Sequence, residues 1–154
     1  MKKFTALVLL AGAVTMALPA AAQFARPEDA IKYRQSAMYI MGQNAGRIGA
    51  MVQGRTPFDA KVAADSAATI EFASRLPWGA FGDGTDKASI ATRAKAEIWT
   101  DKAKFQELAD KLQAETTKLN TAAKTGNLDN IKAAMGGVGA ACKACHDSFQ
   151  AKQQ

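Results

Sequence analysis

The sequence is poor in the residues that most protein chemistry draws on. It has one histidine, His146, and two cysteines, Cys142 and Cys145, in 154 residues. With no second imidazole, no nucleophile–base pair can be assembled around a histidine, so enzymatic activity is not expected. Three residues of the right type are too few for a four-ligand zinc site. Strand-like alternation of apolar and polar residues is missing, which removes the βαβ setting of a redox-active cysteine pair. No apolar run reaches the ~20 residues of a membrane span. The 20 Lys and Arg exceed the 14 Asp and Glu, giving a formal charge of +6. Those cations are scattered and interleaved with acids, so a nucleic-acid partner is not expected.

What is present begins with an export signal. Met1-Lys2-Lys3 is a basic start, Phe4 to Leu18 an apolar run, and Ala20-Ala21-Ala22 a small-residue cleavage site. Residues 1–22 therefore read as a signal peptide. The mature chain, residues 23–154, would be a single periplasmic domain with no membrane anchor after cleavage.

All three scarce residues fall together, in Cys142-Lys143-Ala144-Cys145-His146. A Cys-x-x-Cys-His run is the attachment signature of c-type haem: two thiols bond the vinyl groups and the adjacent imidazole becomes an axial iron ligand. On a helix, residues three apart share a face, so both thiols reach one porphyrin edge. In an exported protein two cysteines would by default form a disulfide. Across so short a loop it would contribute little. Thioethers account for the pair better.

Four helical segments are expected around this motif. The first opens at Pro27-Glu28-Asp29, with proline at an early helical position and acids at the positive end of the dipole. Its apolar row is Ile31, Arg34, Met38, Met41, Ala45, Ile48 and Val52, ending at Gly54. Arg34 is a cation in that row, either snorkelling to solvent or facing an anion inside the protein. The second segment is expected to start with Thr56 as N-cap and Pro57 first in the helix, with a stripe of Phe58, Val62, Thr69, Phe72, Ala73 and Leu76. A long irregular stretch follows from Pro77 to about Ala96. The third segment runs from Trp99 to Lys124 and stops at Gly126. The fourth follows Asn127, with Leu128, Ile131, Met135, Val138, Cys142, Cys145 and Phe149 in one row; Gly136, Gly137 and Gly139 leave room for a close neighbour. The expected fold is all-α, an antiparallel (up-down-up-down) four-helix bundle holding covalent haem between its last and first helices.

Taken together, these features resemble the class II c-type cytochromes, and most the cytochrome c′ group, over nearly all of the mature chain. The resemblance is carried by the run Pro27 to Ala37, by Leu76-Pro77-Trp78, by Glu97-Ile98-Trp99, and by Gly139 to Asp147 with the motif inside it. By position it implies Cys142 and Cys145 as thioether residues to one haem c and His146 as the axial iron ligand. It also implies Arg34 and Gln35 as propionate contacts, Met38 over the distal face, and Glu97 as a further cofactor-binding residue. Members often carry a basic residue four after the histidine, where this chain has Gln150; Lys152 is the nearest cation beyond it.

The resemblance further implies a homodimer through the first two helices, with redox partner proteins unknown. Met38 then separates two functions. If it only packs over the iron, the metal is five-coordinate and high-spin, suited to nitric oxide or carbon monoxide as well as to electrons. If its sulfur bonds the iron, the His146/Met38 site is six-coordinate and low-spin, a pure electron carrier. The five-coordinate form is the expected one.

Overall fold

The computed structural model describes residues 24–87 and 89–152. The expected signal peptide lies outside them. The described residues hold five α-helices: α1 (Pro27–Val52), α2 (Ala60–Ala73), a single turn α3 (Glu97–Thr100), α4 (Lys102–Lys124) and α5 (Leu128–Phe149). The four long helices form a closed ring in which α1 packs on α2 and α5, and α4 packs on the same two. This is the four-helix bundle read from the sequence. No described helix is long and apolar enough to cross a membrane.

The ends of α1 and α5 follow local chemistry. Arg26 precedes α1 and ion-pairs with Asp29 in its first turn at 2.8 Å. Gly54 and Gly126 follow α1 and α4 with φ of 68° and 66°, a left-handed backbone that glycine adopts without a Cβ clash. Asn127 caps α5, its side chain accepting from the Asn130 N–H. Along α1, Ile31, Arg34, Met41 and Ile48 are buried as their spacing predicts.

The second helix departs from expectation in both start and face. Asp59, not Thr56, is the N-cap, its carboxylate accepting from the Val62 N–H at 3.0 Å, and Pro57 lies in the preceding loop. The buried residues are Ala63, Ser66, Ala67, Ile70 and Ala73. Phe72 is 67% exposed, and Phe58 and Val62 are exposed as well. Small side chains at the helical repeat let α2 sit close against α1 and α4, which leaves the bulky residues outside. Tyr39 and Ile40 of α1 are also exposed.

The third segment is broken where one helix was expected. Asp101 has φ −119° and ψ 60°, ending α3, and its carboxylate accepts from the Lys104 N–H to start α4 afresh. Of the three glycines of α5, only Gly137 has a close neighbour. A Cβ there would collide with the Glu115 carboxylate of α4, whereas Gly136 and Gly139 face open space.

The stretch between α2 and α3 has few regular hydrogen bonds, yet it is anchored at several points. It contains a 3₁₀ turn (Trp78–Ala80). Trp78 donates from its indole to Ser74 O, and Trp99 donates back to Phe81 O at 2.9 Å. Its far end pairs with the end of α5 through an antiparallel bridge between Ala94 and Gln150.

Candidate functional site

A cavity of about 570 Å³ opens where α1, α5 and the 78–98 stretch meet, within the range usual for ligand sites. Its walls include Cys142, Cys145 and His146 from α5, and Arg34, Gln35, Met38 and Met41 from α1. Trp78, Phe81, Ile98 and Phe105 make the rest strongly apolar. Phe105 is the centre of an aromatic cluster, with Phe81, Phe149 and Trp78 at 4.9, 5.4 and 5.7 Å in edge-to-face geometry. The structure thus brings six of the seven sequence-derived site residues to one cavity. Glu97 is the exception: it is exposed at the first position of α3 and does not line the space.

The cysteines are free thiols and half-buried. Burial pushes the Cys142 thiol up, opposed in part by a backbone hydrogen bond. Burial raises Cys145 as well, with Cys142 beside it adding to the effect. Neutral thiols are the opposite of the activated thiolate that a disulfide-exchange pair needs. Among the described residues, no three His, Cys, Asp or Glu side chains converge in a metal-ion cluster. The motif is therefore suited to a large group that meets all three side chains along one helix edge. Burial is also the main cause that holds His146 below the ordinary histidine range; the Arg93 cation adds to it and Asp147 opposes it. An imidazole kept neutral is the form that binds a metal.

Arg34 supplies the test of fit. It is 3% exposed, yet among the described residues no carboxylate pairs with it. Its Nη1 donates to Ala80 O and Thr85 Oγ1 at 3.0 and 3.1 Å, and its Nη2 to Thr85 O and Thr92 Oγ1 at 3.4 and 3.2 Å. The guanidinium carbon also stands 4.3 Å from the centre of the Phe81 ring. Its partners are neutral, so the buried charge is solvated by dipoles and a π face while its countercharge is missing. Gln35, donating to Ala91 O at 3.0 Å, lies beside it. A flat apolar group with an acidic edge suits these surroundings: apolar wall for the ring, two thiols and an imidazole on one side, a cation for the acid.

Sequence reasoning missed the cavity's third wall. Thr92, Arg93 and Ala94 line it, and no periodicity announces them, because they reach the site only when the chain doubles back onto α5.

The family model described as Cytochrome C' matches residues 29–150. A cytochrome c' of Rubrivivax gelatinosus is 52% identical over 130 residues, covering 84% of this chain and all of the relative. The crystal structure of cytochrome c' from that organism superposes with a TM-score of 0.81 at 51% identity, over 84% of this chain and all of that one. A nitric oxide complex of a mutant cytochrome c prime from Alcaligenes xylosoxidans superposes with a TM-score of 0.78 at 44% identity, over 85% and 100%. Together with a bundle whose cavity gathers a thiol pair, a neutral imidazole and a buried cation, these matches establish that the chain belongs to the cytochrome c′ family and has one covalent haem c as its cofactor.

Proposed function

We propose that this chain is a periplasmic haem c protein in which Cys142 and Cys145 carry the two thioethers and His146 is the axial iron ligand. Arg34 and Gln35 hold the propionate edge. Met38 covers the opposite face without bonding the iron, so the metal is five-coordinate and high-spin. Such a site serves electron transfer, binds nitric oxide or carbon monoxide on its free side, and carries out no catalysis.

One observation carries the reading: the cavity wall across from the motif, on α1, offers no imidazole, and its two thioethers, Met38 and Met41, are already engaged in packing. Met38 is partly buried and packs against the main core, and Met41 is 8% exposed within it. Apolar surroundings without a hydrogen-bonding imidazole favour a small uncharged ligand. The nitric oxide complexes of mutant and variant cytochromes c prime from Alcaligenes xylosoxidans support the same chemistry. The haem supplies the redox and gas-binding chemistry when bound; the protein excludes water, fixes one ligand and neutralises the acid edge.

The test is the absorption spectrum of the reduced protein with and without carbon monoxide. The five-coordinate reading expects a high-spin ferrous spectrum that shifts on adding the gas. A low-spin spectrum that carbon monoxide leaves unchanged would establish Met38 as the second ligand.

The same reading includes a homodimer through α1 and α2. Tyr39 and Ile40 of α1, Val62 and Phe72 of α2, and Phe58 of the loop that leads into α2 are large and exposed, the kind of surface a second copy covers. Sedimentation equilibrium should give twice the chain mass for the wild type, and F72D should shift it toward monomer. A wild-type monomer at micromolar concentration rules the dimer out.

A further inference from the structure

The 78–98 stretch returns to the last turn of α5 and is fastened there by backbone. The Lys95 N–H donates to Phe149 O at 3.0 Å, and the Ala151 N–H donates to Arg93 O at 2.8 Å. The Lys95 ammonium reaches the carbonyls of Asp147 and Ser148, both at 3.2 Å, where the end of a helix carries partial negative charge. These bonds set Arg93 beside the turn that follows His146. Arg93 lines the cavity together with His146 and Gln150.

The charges around His146 leave Arg93 as the one with a free hand. Asp147 is adjacent but is engaged by Lys143 at 2.5 Å. Lys95 is spent on main-chain carbonyls. Lys152 lies beyond the end of α5, six residues past His146. Arg93 has no ion-pair partner among the described residues, and it lines the same cavity as the imidazole. On α5 itself, the position four after the histidine holds the neutral Gln150.

We propose that Arg93 is a positioning residue for the iron centre, a cation delivered by the loop to the His146 side of the haem, where it favours the ferrous over the ferric state. The proposal rests on His146 as the axial ligand. The physical reason is Coulombic. Reduction adds one electron, from a reduced mediator in a titration, and moves no proton at Arg93. The ferric site carries one more positive charge, so a fixed cation nearby raises its energy more. Arginine stays protonated at every accessible pH, so the bias persists where a histidine or carboxylate would titrate.

The experiment is a mediated redox titration of the covalently loaded protein at fixed pH and low salt. R93Q should lower the ferrous-to-ferric ratio at a given applied potential by roughly threefold to tenfold; tenfold is about 59 mV for one electron. R93K should stay within twofold of wild type. In R93Q, adding Q150R should recover the ratio, because position 150 lines the same wall, and Q150R alone should raise it. The tether uses only the Arg93 carbonyl, so side-chain changes leave it intact. A purely structural role would lower the melting temperature in R93Q and R93K alike without separating their potentials. An unchanged R93Q potential, or R93K as displaced as R93Q, would overturn the proposal; should R93Q not accumulate, an unmoved Q150R potential does the same. The iron–histidine vibration of the wild type reports separately on His146: its absence would remove the ligand reading itself, whereas its presence beside an unmoved potential refutes Arg93 alone.

Discussion

Replacing Arg34 by alanine should free the 78–98 stretch while leaving the bundle standing. Both terminal nitrogens of the guanidinium donate to that stretch, at Ala80, Thr85 and Thr92. Hydrogen bonds from a charged donor contribute about 1.5–3 kcal/mol each, so two donor groups offer roughly 3–6 kcal/mol. Contact with the Phe81 face, 4.3 Å away, contributes about 1 kcal/mol more. Against this stands the burial that lowers the Arg34 pKa, a cost of several kcal/mol that a propionate countercharge would offset in part. A net of about 2–3 kcal/mol is reasonable, and it acts on the loop. At about 1.4 kcal/mol per factor of ten, the open form becomes about thirtyfold to a hundredfold more populated.

Limited trypsin digestion reads that population directly, because Lys87 and Arg93 lie within the stretch and cleavage of a transiently opened segment follows its equilibrium. Cleavage at those two sites should accelerate by the same factor in the loaded R34A protein, with helical circular dichroism retained. R34K, which keeps the charge and loses the planar fork, should fall between. Cleavage at Lys87 and Arg93 no faster than in wild type would show that the hydrogen bonds and the desolvation cancel, and that Arg34 does not hold the stretch closed.

Two further outcomes test the packing. Asp59→Ala removes the N-cap of α2 and should lower stability by about 1 kcal/mol, seen as a reduced melting temperature; no change would return the cap to Thr56. Glu71 on α2 accepts from Asn120 and Thr117 of α4 and from Arg75, which together hold its carboxyl below the ordinary glutamate range, Asn120 having the largest effect. A depressed folded-state pKa contributes stability that is present above the unfolded value, about 4.3, and is lost as pH falls through the lower folded value. Denaturant titrations should therefore find the wild type more stable than E71Q at pH 7, with the gap closing from about pH 4 downward. A gap independent of pH would place the effect in packing.

The sequence revealed what large side chains announce. The α5 row was legible because Ile131, Val138 and Phe149 recur at helical spacing, and the motif stood out because it gathers every cysteine and histidine. Arg34 was legible as an anomaly, a cation among Ile31 and Met41. The inward face of α2 was not, since Ala63, Ser66 and Ala67 bury little area each and carry weak periodicity beside Phe72. Two good caps, Thr56 and Asp59, lie three residues apart, and only the placed Val62 N–H decides between them. The wall formed by Thr92, Arg93 and Ala94 is a product of chain return, and a residue's distance along the chain says nothing of that. The Glu71–Asn120 contact likewise joins two helices through side chains that look like solvent-facing polars.

The cavity also has a consequence for how the molecule comes together. It lies on the side of the ring where α1 meets α5, the joint between the first helical hairpin and the last. Each hairpin closes locally, whereas bringing Met38 beside Cys142 closes a loop of 104 residues, an entropic cost of about 4 kcal/mol. A group bonded to α5 that also met Arg34 and Met38 would turn docking of the first hairpin into an encounter at high effective concentration. The first and last long helices would then be held by one shared inclusion, and cofactor attachment would be the step that makes the bundle a single cooperative unit.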